Sequence, residues 1–119
     1  MAQVEKLAID QGATFRKTFL YTTSLTSLVP VDLTSYSARM QMRSSPTAAV
    51  AGVSLTSTPT ASGQLIMGGS LGTIQVYITD VATAALSGGG VYDLEIISPL
   101  GDVTRLVQGT YAVSPNVTR

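Results

Sequence analysis

The sequence contains no cysteine, no histidine and no tryptophan. Without cysteine the chain can form no disulfide and offers no thiolate nucleophile. Without histidine it lacks the commonest general base and zinc ligand, which excludes every Ser-His-Asp and Cys-His arrangement. Carboxylates, a Ser-Lys dyad or a tyrosine are the catalytic options that remain, and the lysines at 6 and 17 have no Ser-x-x-Lys spacing. We therefore expect no enzyme, and no catalytic, cofactor-binding or metal-binding residue.

Charge is scarce as well, because only 12% of the residues are charged and Lys+Arg and Asp+Glu balance at seven each. Soluble domains usually carry about 25% charged residues. Serine and threonine are abundant instead, at 29 of 119 residues. Seven scattered basic residues cannot form the basic stripe that nucleic acid needs, so we expect no nucleic-acid partner. A near-neutral surface favours assembly of many copies over a dilute monomer.

Long apolar runs are missing too. No stretch approaches the roughly 18 consecutive apolar residues of a membrane span. The first ten residues lack the basic region and apolar run of a secretory signal. We therefore expect no membrane partner, synthesis in a cytoplasm, and one domain over residues 1–119, since the length suits a single core.

The sequence is rich in alternation of apolar and polar residues with period two, which is typical of half-buried strands. The clearest runs are 36–43, 74–79 and 92–97, and further candidates are 4–9, 14–21, 50–56, 64–67, 103–107 and 110–113. Turn residues separate these runs, so we predict an all-β sandwich of about 8 short strands. Its predicted core contains Leu33, Met40, Ile74, Val76, Ile78, Tyr92, Leu94, Ile96 and Leu106.

One segment breaks the alternation. Residues 79–86 read TDVATAAL, with a capping Thr or Asp, small helix formers and a Ser-Gly-Gly-Gly stretch behind them. This predicts one short helical turn, the only helix of the chain. The glycines in 68–72 and 88–90 predict turns, because glycine adopts positive φ without steric cost. A phosphate-binding loop is disfavoured, because its lysine does not follow these glycines.

Asp93 and Glu95 are the one carboxylate pair with catalytic spacing. Two residues apart on a strand, they project from the same face about 7 Å apart, close to the separation in a glycosidase. Acidic residues on the polar face of an alternating strand are usually solvated, and we prefer that interpretation. Arg39 and Arg43 lie on the polar face of another strand, and we predict that one of them pairs with Asp93 or Glu95.

Several blocks, taken in order, resemble a group of small structural proteins of tailed bacteriophages, in particular the N-terminal domain of phage baseplate upper proteins. The blocks are 11–15, 30–34, 38–43, 79–86, 91–96, 101–110, 113 and 117–119. The resemblance implies an immunoglobulin-like β-sandwich present in many copies in a virion. Since the chain stops at Arg119, where larger relatives continue into a receptor-binding region, the expected role is an adaptor that joins the tail or baseplate or anchors tail fibres.

The expected partners are other copies of the chain, in trimeric or sixfold assemblies, and other tail or fibre proteins. The expected location is the virion, after assembly in the bacterial host cytoplasm. Partner chains are expected to cover the uncharged segments 18–31 and 47–60 and the termini. A carbohydrate-binding β-sandwich module and a head or neck decoration protein are the alternatives, although the lack of tryptophan disfavours a sugar platform.

Overall fold

The computed structural model describes residues 3–22, 29–49 and 51–117. Within these ranges the chain forms nine strands, a short helix and a 3-10 turn, Gly69–Leu71. The helix is α1 (Asp80–Ala84), and the strands are β1 (Gln3–Val4), β2 (Leu7–Asp10), β3 (Phe15–Leu20), β4 (Ser37–Arg43), β5 (Val53–Thr56), β6 (Gly63–Met67), β7 (Thr73–Ile78), β8 (Gly89–Ile97) and β9 (Val103–Ser114). The all-β prediction is confirmed.

The strands form two sheets that pack face to face. The six-stranded sheet has the order β1-β9-β8-β4-β5, and β2 also pairs with β9. Both β1 and β2 run parallel to β9, whereas the remaining pairs are antiparallel. The three-stranded sheet has the order β3-β7-β6. The sandwich measures 43 × 27 × 24 Å.

The core lies between the sheets because each strand turns its apolar residues inward. On β8, Tyr92, Leu94 and Ile96 are only 4%, 0% and 2% exposed, and the residues between them face solvent more. The other predicted core residues are buried as well, so the predicted inward faces are confirmed. Burial of apolar surface stabilises the fold by roughly 25 cal/mol per Å².

The helix α1 lies inside the predicted segment 79–86. The hydroxyl of Thr79 accepts a hydrogen bond from the main-chain N–H of Ala82 at 3.3 Å, which caps the first turn. Among the described residues α1 is the one α-helix, as predicted, and a 3-10 turn, Gly69–Leu71, lies between β6 and β7. Gly72 ends that turn at φ 69°, where glycine is favoured, as predicted for this loop.

Several predicted strand boundaries were wrong. The predicted strand 4–9 is two strands, since the chain bends at Glu5 and Lys6 between β1 and β2. The predicted strands 103–107 and 110–113 are the single strand β9. There a bulge puts Leu106 between the residues that pair with Leu94 and Glu95, so that Leu106 and Val107 are both buried. The predicted strand 50–56 begins at Val53, and residue 50 lies outside the described ranges.

Of the three glycines predicted to form a turn after the helix, only Gly88 has a positive φ, of 67°. Gly89 and Gly90 begin β8 instead. A Cβ at Gly90 would collide with the main chain of Arg43, and a Cβ at Gly89 would collide with that of Tyr111. Here glycine therefore permits close packing of β8 between β4 and β9.

Candidate functional site

The outer surface of the six-stranded sheet carries most of the polar side chains of the strands. Strand alternation places there every residue that does not point into the core. We call this surface the polar face, and its members are Arg39, Gln41, Arg43, Ser54, Thr56, Asp93, Glu95, Arg105, Gln108 and Thr110. It includes the carboxylate pair and both arginines that the sequence singled out.

Charges on the polar face pair with one another. Arg39 Nε lies 2.7 Å from Glu95 Oε1, which confirms the predicted contact between the two strands. Arg105 Nε lies 3.6 Å from Asp93 Oδ2. Arg43 contacts no carboxylate of the described residues and instead donates to the Ala48 carbonyl at 2.8 Å and to Gln41 Oε1 at 2.7 Å. Asp93 and Glu95 therefore each face an arginine.

The Arg39–Glu95 pair is expected to contribute little to stability. The two side chains are 55% and 22% exposed, and solvent screens pairs of that kind to below about 1 kcal/mol. A double-mutant cycle with Arg39→Met and Glu95→Gln, measured by urea unfolding, should give a coupling free energy in that range. A coupling above about 2 kcal/mol would show that the pair is desolvated, as in an interface or a closed site.

A concavity of about 560 Å³ lies on the polar face between β4, β8 and β9. Gln41, Arg43, Asp93, Arg105 and Gln108 contribute polar groups to it, and Val4, Pro46, Val91 and Thr110 are among its other lining residues. The guanidinium groups are already engaged, since Arg105 also donates to Gln108 Oε1 at 3.1 Å. A ligand here would have to displace these internal hydrogen bonds, which disfavours a preformed binding pocket.

At one side of the sandwich an ion pair links the two sheets. Lys17 Nζ on β3 lies 2.7 Å from Glu5 Oε1 in the bend between β1 and β2. Sequence reasoning missed this pair. The alternation Phe15, Lys17, Phe19 does place Lys17 on an inward face, but its partner lies in a bend that alternation does not predict. We call this side the charged edge; it comprises β1, β2 and β3, with Glu5, Lys6, Asp10, Arg16 and Lys17.

The phenol of Tyr92 is tied to the same bend. It donates a hydrogen bond of 2.6 Å to the main-chain carbonyl of Glu5. Burial, with a smaller effect of the Glu5 carboxylate, raises the pKa of Tyr92 to about 12. Burial also raises the pKa of Tyr111. Both phenols therefore stay neutral where an unfolded chain would begin to ionise.

Stability is expected to fall as the pH rises from 10 to 12. Over that range the unfolded chain loses the Tyr92 proton and the folded chain keeps it. Ionisation therefore stabilises the unfolded state relative to the folded state. Urea unfolding of the native protein and of Tyr92→Phe should differ by a constant amount below about pH 9. Above that pH the curve of the variant should be flatter. Equal slopes for the two proteins would contradict the assignment.

The two edge strands on the opposite side of the sandwich carry no charged residue. Residues 44–79 contain no Asp, Glu, Lys or Arg, and they include β5, an edge of the six-stranded sheet, and β6, an edge of the three-stranded sheet. We call β5, β6 and the connection of residues 57–62 the uncharged edge. Sheet edges are usually protected by charged side chains, prolines or bulges, because their free main-chain groups can pair with other strands.

The described residues contain no group of three or more His, Cys, Asp or Glu side chains that could hold a metal ion. Within the same ranges, no helix is long and apolar enough to cross a membrane. Every buried side-chain nitrogen or oxygen of these residues has a hydrogen-bond partner. No orphaned buried group therefore marks a cofactor site in this part of the chain.

Comparison with known proteins gives a fold. The solved structure of Tim-1, an immunoglobulin V domain, matches with a TM-score of 0.54 at 12% identity, and covers 100% of this chain and 99% of that chain. The fold is immunoglobulin-like. No family model matches the sequence, and no curated protein matches it. At this identity the likeness to Tim-1 shows the fold alone.

The immunoglobulin-like sandwich of this chain differs from that of antibody domains in what joins its sheets. Antibody domains carry a disulfide between the sheets and a tryptophan packed against it. This chain has neither residue type. Its sheets are held together by the apolar core and, at the charged edge, by the Lys17–Glu5 pair.

Proposed function

We propose that this protein is a structural subunit of a tailed-bacteriophage virion, an adaptor that assembles into the tail or baseplate or anchors tail fibres. Its partners are other copies of the chain, in trimeric or sixfold symmetry, and neighbouring tail or fibre proteins. It is made and assembled in the host cytoplasm and acts in the particle. The resemblance of the ordered sequence blocks to phage baseplate proteins is the reason for choosing a virion.

The main support for a role in assembly is the unequal distribution of charge between the two edges. The charged edge holds five of the fourteen charged residues, whereas the uncharged edge holds none. Natural sheets that stay monomeric usually place charge at their edges. An edge that lacks charge over residues 44–79 is suited to pairing with another strand, as in β-augmentation.

A role without catalysis is supported by the polar face. A general acid or base must reach the proton it moves. Glu95 is instead held at 2.7 Å by Arg39, and Asp93 lies 3.6 Å from Arg105. The pairing favours solvated, mutually neutralising charges over a pair of reactive carboxylates.

Carbohydrate binding gains no support from the aromatic residues. Sugar platforms use exposed rings. Tyr92 and Tyr111 are buried, and Tyr77 on the outer surface of the three-stranded sheet is half-buried beneath Arg16, whose guanidinium lies 4.3 Å from the ring centre. These three rings offer no flat stacking surface.

Sedimentation of the purified protein, alone and mixed with the products of adjacent tail genes, tests the proposal. We expect a complex larger than the monomer and comigration with at least one tail protein. A protein that stays monomeric and binds none of them would contradict an adaptor role. A glycan array run in parallel identifies the carbohydrate-binding alternative directly.

A further inference from the structure

The edge strand β5 has free main-chain groups whose positions follow from its pairing with β4. Ser57 N–H donates to the Ala38 carbonyl at 3.1 Å, and the same register continues through β5. Hydrogen-bonded residues alternate along an antiparallel pair. The N–H and C=O groups of Val53 and Leu55 therefore point to β4, whereas those of Ser54 and Thr56 point away from the sheet. Among the described strands, none pairs with β5 on that side.

The neighbouring edge strand β6 is partly occupied by its own chain. Thr60 and Gly63 exchange main-chain hydrogen bonds of 2.9 and 3.2 Å. The side-chain amide of Gln64 donates to the Ser57 carbonyl at 3.0 Å. The connection of residues 57–62 thus runs beside the beginning of β6 and limits access to it. Of the two strands of the uncharged edge, β5 is the more open.

The lack of charge indicates what kind of strand fits β5. In a two-fold contact between identical strands, a residue on the axis faces its own copy and the other residues face different residues of the partner strand. Charged side chains therefore restrict the pairing to registers that keep like charges apart. The charged edge, with Lys6 in the bend and Asp10 on β2, would need such a register. The uncharged edge would not, since residues 44–79 contain no charge. The edge is therefore suited to a second copy of itself.

We propose that β5 of one copy pairs antiparallel with β5 of a second copy, around a two-fold axis at Leu55. Ser54 of each copy then lies opposite Thr56 of the other, and their main-chain groups can form four hydrogen bonds. The side chains of both residues are exposed hydroxyls, a combination that stabilises cross-strand pairs. Two six-stranded sheets join into one continuous sheet.

This inference rests on the proposed assembly function and makes it more specific. Two-fold pairs build assemblies with an even number of chains, so of the two symmetries expected for the particle it favours the sixfold one. Neighbouring virion proteins remain free to bind the loops and the polar face.

Charge variants at β5 provide the test. Sedimentation equilibrium should show a dimer for the native protein. The double variant Ser54→Lys/Thr56→Lys should weaken self-association at least about tenfold, and so should Ser54→Glu/Thr56→Glu. An equimolar mixture of the two double variants should regain association as a 1:1 complex, because opposite charges then face each other. Oppositely charged variants of residues outside the contact would show no such recovery of association when mixed.

The matched control is Thr18→Lys/Thr110→Lys, which adds the same charge at exposed strand threonines away from β5. It should dimerise like the native protein. Circular dichroism and urea unfolding of all variants separate loss of pairing from loss of fold.

Two outcomes would overturn the inference: a native protein that stays monomeric, or a Lys double variant that dimerises as tightly as the native protein. Either result leaves the adaptor function standing if the protein still binds adjacent tail proteins. Conversely, pairing through β5 without binding any tail protein supports the inference and contradicts the proposed function.

Discussion

Replacing Leu94 with alanine is expected to lower the free energy of unfolding by about 2–5 kcal/mol. Leu94 lies on β8 in the middle of the six-stranded sheet, opposite Met40 on β4 and Val107 on β9, and its side chain is 0% exposed. The loss combines the transfer free energy of the removed methyl groups with that of a cavity, which the surrounding strands can close only in part.

The matched control for Leu94→Ala is Leu100→Ala. Leu100 is 92% exposed in the turn between β8 and β9, so the same change there should cost less than about 0.5 kcal/mol. Urea unfolding at neutral pH gives both values. A loss below about 1 kcal/mol for Leu94→Ala would mean that the inward and outward faces of β8 are reversed.

Gly63→Ala is expected to cost about 3 kcal/mol or more, from backbone strain and overpacking together. Gly63 begins β6 at φ 138°, a conformation that side chains rarely allow. A Cβ there would also collide with the main-chain carbonyl of Tyr77 on the neighbouring strand. The register between β6 and β7 would have to shift to relieve the clash.

Gly101→Ala separates the two effects. Gly101 has φ 93°, and a Cβ added to it would meet nothing within 4 Å. This variant should lose only the strain component, about 1–2 kcal/mol. Thermal and urea unfolding of both variants measures the difference. Equal losses would show that the Tyr77 carbonyl yields easily, and that Gly63 is required for its φ alone.

The inward faces of the strands could be predicted from the sequence because alternation is a local signal. The burial of Met40, Ile78 and Leu94 can be predicted from the alternation of their neighbours along the chain. A contact of Arg39 or Arg43 with Asp93 or Glu95 could also be predicted, because these residues occupy outward positions on well-patterned strands and charges are scarce; the structure selects Arg39 and Glu95.

The remaining features depend on which strands are neighbours, and alternation carries no such information. The bend at Glu5 exists because Lys17 and Tyr92 bind it from two different strands. The bulge at Leu106 shifts the register between β9 and β8. In the sequence Leu106 cannot be distinguished from any other apolar residue of a strand. Likewise, the lack of charge in residues 44–79 is visible in the sequence, but its location at a sheet edge follows only from strand order.

The parallel pairing of β1 and β2 with β9 has a mechanical consequence. Tension applied through Gln3 and Val117 pulls these strands in opposite directions along their length. Hydrogen bonds of the ladder from Gln3–Val107 to Asp10–Ser114 then share the force in shear, rather than rupturing one after another as in a peeled hairpin. Forced unfolding depends on the rate at which the unfolding barrier is crossed. The unfolding force should therefore be higher when the chain is pulled at Gln3 and Val117 than when β8 and β9 are peeled apart from their connecting turn. Single-molecule pulling can measure this difference. Under the adaptor function proposed above, tension between the two ends of the chain would load the sandwich in this shear direction.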